Sequence, residues 1–380
     1  MELKDYRSKI DEIDGQLLEL FRQRLDISGE MAGYKKERNL PVTDSEVERN
    51  KLSALTAAAG EKYSNYTYSL FQDIVDICNS AESRAMHPSS ELKDRIDETI
   101  KGTPDLFPER AIVACQGVEG AYSQQACDKI FRIPSIMYFT SFDGVFSAVD
   151  NGLCEYGVLP LENSTAGSVN KIYDLMMQYN FSIVRSTRLK VDHNLLVKDG
   201  TKLSDVKEVL SHEQALNQCS EFFKENKGIK PTVCANTAMA AQMVAESSRN
   251  DIACLSSRSC AELYGLKCIK ESVQDQGNNY TRFICISKRP QIFPGSDKTS
   301  LMMTLPHRPG SLYKVLGRFY SLGINLIKLE SRPLPDRDFE FMFYFDIETS
   351  IYSPRFSELM SDIESMCEDF RYLGSYMEVL

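Results

Sequence analysis

The sequence predicts a multi-domain protein: an all-α segment, a two-lobed α/β segment and a small α+β module. Three observations carry this. Residues 3–84 hold long helical repeats of apolar side chains, broken only by Pro41. From 111 to 288, short apolar runs alternate with helical patterns, and from 298 to 380 the elements read βαββαβ. A chain of 380 residues has room for two or three such domains, each with its own core.

In the first segment Leu3, Tyr6, Ile10, Ile13, Leu17, Leu20, Ile27, Met31 and Tyr34 recur at helical steps, with Arg24 on the same seam. A helix of that length, roughly 55 Å, cannot bury such a stripe alone, which implies a partner chain. Asp44 or Ser45 can cap a second helix running to Ala59, and Ser64 or Asn65 a third running to Arg84. The first domain is therefore set at 1–87. Residues 88–109, polar and interrupted by Pro88, Gly102, Pro104 and Pro108, read as a linker with room for a short helix.

The second domain, 110–289, shows strand-like runs at 111–115, 157–161, 195–197, 208–210, 252–255 and 283–287. One run stops at Pro160 and is followed by Glu162, Asn163, Ser164 and Thr165, ahead of a helix at 169–177. Small hydroxyl and amide side chains between a strand end and a helix start can grip an anion; a capped, solvated loop explains them equally. The turn Gly117-x-x-Gly120 can present backbone amides to an anion in the same way, or be a simple tight turn. Its spacing fits no dinucleotide or P-loop fingerprint. The third domain, 298–380, reads as strand 300–305, helix 311–322, strands 326–331 and 340–347, helix 354–367 and strand 372–376. That order is ferredoxin-like, and such modules serve many roles.

Composition removes several function classes. Lysine and arginine total 44 against 54 acids, a formal charge of −10 with no basic block, which argues against nucleic acid and membrane surfaces as partners. No apolar run approaches the roughly 20 residues of a membrane span. The charged amino terminus lacks a signal core, and 11 dispersed cysteines without a Cys-x-x-Cys pair read as reduced thiols of a cytoplasmic protein. His87, His193, His212 and His307 lie far apart, so no metal site is expected.

Four ordered motifs share the middle segment: Gly117-x-x-Gly120-Ala121-Tyr122-Ser123, the run Pro160 to Ser168, the run Ser211 to Cys219, and Asn279-Tyr280-Thr281-Arg282-Phe283. Together they resemble prephenate dehydratase over nearly all of 111–288. The resemblance implies two lobes like those of periplasmic binding proteins, closing on prephenate at a hinge. It also implies loss of carbon dioxide and water to give phenylpyruvate without a cofactor. Thr281 takes the family's proton-donor position, and Asn163, Ser211 and Gln218 match positions that hold substrate. Glu162, Ser164, Thr165 and Phe283 would line the same cleft. Arg282 would pair with substrate or brace the motif, and bracing is the preferred reading.

The first segment resembles the all-helical chorismate mutase. Arg7, Arg24, Lys35, Asp44 and Glu48 match motif positions, whereas Val47, Cys78 and Glu82 replace the usual arginine, serine and glutamine. The resemblance implies a helix-swapped dimer in which Arg7 enters the partner's site. Cations would hold the carboxylates of chorismate, and Lys35 and Glu82 would sit at the breaking ether bond. Glu82 donates only when protonated. From the residues alone, Arg24 could instead set a coiled-coil register, and inward Glu48 and Glu82 could form a structural ion-pair network.

In the third segment Pro309, Gly310, Ser311 and Leu312, with Glu330, Ser331, Arg332 and Pro333, resemble the ACT regulatory domain. This implies phenylalanine bound at a domain interface as feedback inhibitor; for Arg332 alone a surface salt bridge is the alternative. The combined expectation is a bifunctional enzyme acting on chorismate and prephenate, as a homodimer or larger homo-oligomer. Two rivals stand beside it: a dehydratase whose first domain only dimerises or binds ligand, and a non-catalytic aromatic-acid sensor.

Overall fold

A computed structural model describes residues 2–86, 91–334 and 340–380. The chain divides into two compact units, Met1–Asp97 with Ser357–Met366, and Glu98–Phe356 with Cys367–Leu380.

The first unit is built on α1 (Leu3–Glu37), α2 (Ser45–Ala58) and α3 (Ser64–Met86). Asp44 begins α2, its carboxylate accepting the Glu46 and Val47 N–H groups at 3.2 and 3.1 Å. α1 meets α3 through the small buried residues Ser28 and Ala32, with Arg24 and Lys35 on the same face. Small side chains there let two helices approach closely. The apolar seam of α1 lies elsewhere: Leu3, Ile10, Ile13, Leu17, Leu20 and Ile27 are each more than half exposed. Among the described residues nothing covers this stripe. The expected linker holds a 12-residue helix, α4 (Glu91–Gly102), with Leu92 and Ile96 buried; its first residues, 88–90, and His87 lie outside the described residues.

The second unit opens with β1 (Arg110–Gln116), α5 (Tyr122–Ile130), β2 (Ile133–Phe139), α6 (Phe142–Asp150), β3 (Tyr156–Asn163), β4 (Gly167–Ser168), α7 (Asn170–Gln178) and β5 (Ser182–Lys190). A second lobe follows: β6 (Asn194–Val197), β7 (Glu208–Ser211), α8 (Glu213–Asn217), α9 (Ser220–Glu225), β8 (Lys230–Val233), α10 (Thr237–Glu246), β9 (Ile252–Ser256), α11 (Arg258–Tyr264) and β10 (Lys267–Lys270). The chain then returns through β11 (Tyr280–Ser287) and ends with β12 (Lys298–Thr304), α12 (Ser311–Ser321), β13 (Asn325–Pro333), β14 (Phe341–Glu348), α13 (Pro354–Met366), which from Ser357 on belongs to the first unit, and β15 (Asp369–Val379).

Two sheets result. The second lobe has the order β10-β6-β9-β7-β8. The first sheet runs β13-β14-β12-β15-β5-β11-β3-β1-β2, with β4 folded back on β3. Its first four strands are antiparallel in the ferredoxin-like order. Strand β15 then lies parallel to β5, pairing Met377 with Arg185 and Val379 with Thr187, so this module and the first lobe share one sheet. At the junction Gly374 has φ +132°, and a Cβ there would collide with the Ile183 carbonyl. The lobes are linked by two segments, 191–193 and 271–279. They are tied by hydrogen bonds from Val191 N–H to Asn279 O and from Val273 N–H to His193 O, both 2.8 Å.

The sequence reading missed β2, β5, β8 and β10. β2, β8 and β10 are edge strands whose alternating exposed positions dilute the apolar signal. β11 begins three residues earlier than expected and so includes Thr281 and Arg282. The buried β-branched and leucine side chains of β1, β3 and β11 (Val113, Val158, Leu159, Leu161, Ile284, Ile286) form the centre of the first lobe. Among the described residues, no helix is long and apolar enough to cross a membrane, and no cluster of three or more metal-ligating side chains occurs. All 11 cysteines are free thiols.

Candidate active sites

Strand geometry divides the motif residues between two faces. In the antiparallel pair β3–β11, Thr281 stands opposite Asn163 and Arg282 opposite Glu162. Alternation then sends Asn163 and Thr281 to one side and Glu162 and Arg282 to the other. The first pair lines a cavity of about 340 Å³ between the lobes. Tyr122 and Ser123 at the start of α5, Phe283, His193, and His212, Gln214 and Gln218 around α8 share its wall. The Gly117 turn therefore reaches the same cavity as the Asn163 motif.

Asn163 is held rigidly. Its Oδ1 accepts from Thr165 N–H (3.1 Å), Ala166 N–H (2.9 Å) and Thr165 Oγ1 (2.7 Å). Its Nδ2 donates to Asn279 Oδ1 (2.7 Å) and Thr281 Oγ1 (3.0 Å). Asn279 Nδ2 donates to Gln218 Oε1 at 3.0 Å, and Gln218 Nε2 to Thr165 Oγ1 at 2.7 Å. Thr281 is almost fully buried, and no acceptor for its own proton is found among the described residues.

On the opposite face Glu162 lies 2.8 Å from Arg282 Nε and 2.9 Å from Lys328 Nζ, and Arg282 Nη2 is ion-paired with the fully buried Asp346. Burial alone would raise the Glu162 pKa, but Arg282 and Lys328 overcome it and hold the carboxyl below the usual range. Neither Glu162 nor Arg282 lines the cavity. Glu162 is thus corrected from a cleft residue to part of an ion-pair network, and Arg282 braces the motif. Ser211 is corrected too: it is buried, and its hydroxyl donates to Leu255 O at 2.7 Å. Ser164 is committed to the backbone at the start of β11, donating to Asn278 O just before the strand and accepting from Tyr280 N–H, both 2.9 Å. Thr165 lines a neighbouring cavity of about 230 Å³ with Gln218, Asp275 and Asn279. Sequence reasoning missed Asn279, although it opens the Thr281 motif, and His193, whose only signal was a polar residue just ahead of the strand-like run 195–197.

In the first unit Arg24 Nη1 lies 2.7 Å from Cys78 Sγ, and Lys35 Nζ donates to Glu82 Oε2 (2.7 Å) and Val42 O (2.6 Å). Asn79 Nδ2 donates to Glu48 Oε1 at 3.0 Å. Glu82 is buried, so an ammonium and a carboxylate meet inside the bundle as the inward-facing pattern implied. Asp44 serves as the α2 cap. Arg7 is exposed and about 42 Å along α1 from Lys35, outside this cluster in its own chain. Val47 is also exposed.

In the C-terminal module Gly310 occupies the left-handed region at φ +85° immediately before α12, with open space where a Cβ would stand. Pro309 is exposed, and Ser311 and Leu312 are half-buried. Arg332 pairs bidentately with Asp174 of α7 at 2.9 and 3.0 Å, the salt bridge weighed above, here within the second unit. Glu330 bonds Ser168, while Ser331 and Pro333 are exposed. No hydrogen bond or ion pair joins the two expected regulatory segments among the described residues.

Two regions of the chain match known families. The prephenate dehydratase family profile matches residues 113–291, and that of chorismate mutase type II residues 6–83. Arogenate dehydratase/prephenate dehydratase 2 of Arabidopsis thaliana is 37% identical over 279 residues, covering 70% of this chain and 73% of its own. The bifunctional chorismate mutase/prephenate dehydratase of Enterobacter agglomerans is 30% identical over 384 residues, covering 97% of this chain and 94% of its own. The structure of prephenate dehydratase from Arthrobacter aurescens in complex with L-Phe superposes with a TM-score of 0.64 at 25% identity, covering 70% of this chain and 89% of that one. With a mutase bundle and a dehydratase cavity in one chain, matched nearly end to end by such a relative, this protein belongs to the bifunctional chorismate mutase/prephenate dehydratase family.

Proposed function

We propose that the chain rearranges chorismate to prephenate in its first unit and converts prephenate to phenylpyruvate in the cavity of the second, under feedback by phenylalanine. The observation that carries the dehydratase reading is the 3.0 Å hydrogen bond from Asn163 to Thr281 at the cavity wall. Because Thr281 Oγ1 accepts from Asn163, its own proton is free for the ring hydroxyl of prephenate. As that proton arrives, the C–O bond breaks, water departs, and the electrons of the ring–carboxylate bond aromatise the ring while carbon dioxide leaves. Thr281 regains its proton from solvent.

The described cavity lining carries neither Lys nor Arg, and neither Asp nor Glu. Neutral donors hold a carboxylate without over-stabilising the charge that must depart. Water exclusion by Phe142, Val169 and Phe283 strengthens each remaining dipole.

In the first unit Arg24 and Lys35 hold the carboxylates of chorismate, with Glu48, Cys78 and Glu82 shaping the pocket and Lys35 reaching the ether oxygen. Conformational restraint and charge placement are enough for a pericyclic step. The exposed seam of α1 supports a helix-swapped dimer in which the partner's Arg7 completes the site. Phenylalanine binds the C-terminal module as in an ACT domain, at Pro309 to Leu312 and Glu330 to Pro333. Glu330 and Arg332, through Ser168 and Asp174, lie close to the Asn163 loop. The working division is 1–87 mutase, 88–109 connection, 110–289 dehydratase and 298–380 regulatory domain, in a cytoplasmic enzyme.

Separate assays of the purified chain test this reading. Chorismate and prephenate are each expected to be consumed, with phenylalanine lowering the second rate, and sedimentation is expected to show a dimer or larger. Ile13→Asp with Leu17→Asp should dissociate it and abolish chorismate turnover. Prephenate turnover without chorismate turnover would reduce the first unit to a dimerisation module. No turnover of prephenate would overturn the dehydratase reading.

A further inference from the structure

The hydrogen bonds around Asn163 close into a ring with one direction. Asn163 donates to Asn279, Asn279 to Gln218, Gln218 to Thr165, and Thr165 back to Asn163. The direction is set by the Thr165 and Ala166 N–H groups, which can only donate and so fix Asn163 Oδ1 as their acceptor. It follows around the ring that Gln218 Oε1 is an acceptor. His193 Nε2 lies 2.8 Å from that oxygen, so this nitrogen must carry a proton.

His193 is buried at the cavity wall, and its Nδ1, itself shielded from solvent, has no hydrogen-bond partner among the described residues. Burial holds its pKa below the usual histidine range, against the opposing pull of Gln218 and Asp192 and with a further push from His212. With Nε2 protonated and the ring neutral, Nδ1 is a bare acceptor. A buried acceptor left without a donor costs free energy, so such a group implies a donor from a ligand or from water. Prephenate at neutral pH carries two carboxylates, a ketone and one hydroxyl, and that hydroxyl is its only hydrogen-bond donor.

Resting on the dehydratase reading above, we infer that His193 Nδ1 accepts the O–H of the departing hydroxyl of prephenate, making His193 a second catalytic residue beside Thr281. The oxygen keeps its own hydrogen, directed at Nδ1, and turns a lone pair to the Thr281 proton. When the C–O bond breaks, the oxygen leaves as water with one hydrogen from the substrate and one from Thr281. Two opposed contacts fix the leaving group where Thr281 alone could not orient it.

His193→Gln places an amide nitrogen where Nε2 stood, preserving the donor to Gln218 while removing the Nδ1 acceptor. This variant is expected to lose kcat by about ten- to a hundredfold with KM little changed, as for a contact that matters most in the transition state. An unchanged kcat would overturn the inference. A second readout needs no His193 variant. Imidazole nitrogen NMR of the otherwise intact chain should show the Nε2–H tautomer. In Thr281→Val protein, the Nδ1 resonance should move on adding prephenate but not phenylpyruvate, which has no ring hydroxyl. An Nδ1–H tautomer, or equal responses to the two compounds, would also overturn it. Because wild-type prephenate turnover is measured separately, failure of the dehydratase reading is distinguishable from failure of the His193 role.

Discussion

A threonine hydroxyl in water is a very weak acid, so a donor role for Thr281 has to come from its surroundings. Asn163 pins the oxygen, the Thr165 and Ala166 amides pin Asn163, and burial removes competing water. Thr281→Val is therefore expected to lower prephenate turnover by about 10²–10⁴-fold, with chorismate turnover unchanged in the same preparation. Thr281→Ser, which keeps a hydroxyl, should fall between the two. Paired assays on each variant check this; equal loss of both activities would indicate unfolding rather than lost chemistry. Asn163 and Thr281 were legible in sequence because each lies in a compact motif. Glu162 was misread for a geometric reason: its neighbour faces the cavity, so alternation turns it away. Ser211 was misread because its hydroxyl is committed to Leu255 O, and nothing in a linear pattern reports a partner 44 residues on.

The helices of the first unit were readable from periodicity, as were the C-terminal elements to within a few residues, because long amphipathic patterns report their own burial. Edge strands report little, and pairing between distant strands reports nothing until the chain is folded. The junction of β15 with β5 is such a case. Its tightest point is Gly374, where left-handed backbone and the Ile183 carbonyl together exclude any side chain. Gly374→Ala is expected to destabilise the second unit by about 1–3 kcal/mol, seen as a lower Tm, while the first unit's transition is unmoved. An unchanged Tm would mean that the two strands can separate there without loss.

Most ion pairs of the described residues lie at the surface, but a few charged side chains are paired away from solvent. Glu162 sits between Arg282 and Lys328 with its pKa held below the ordinary carboxylate value. Its ionisation therefore stabilises the fold fully above the unfolded pKa, roughly 4.3, and that contribution disappears as pH falls through the lower folded value. Thermal melts should show the second unit losing stability on the acid side of about pH 4. Glu162→Gln should be less stable at neutral pH and show a shallower acid decline. Parallel acid limbs for the two proteins would remove Glu162 from this account.

The order in which the chain emerges gives the shared sheet a further meaning. Thr187 of β5 donates to the carbonyl of Val379 in β15 at 2.8 Å, 192 residues later. During synthesis the first-lobe sheet thus stands with an open edge at β5 until β15 has left the ribosome. A nascent chain stalled before residue 377 would lack the strand that covers this edge, leaving it available to a chaperone or to another unfinished chain. The residues that line the cavity all precede residue 284, so it is the sheet edge rather than the site that waits for the end of the chain.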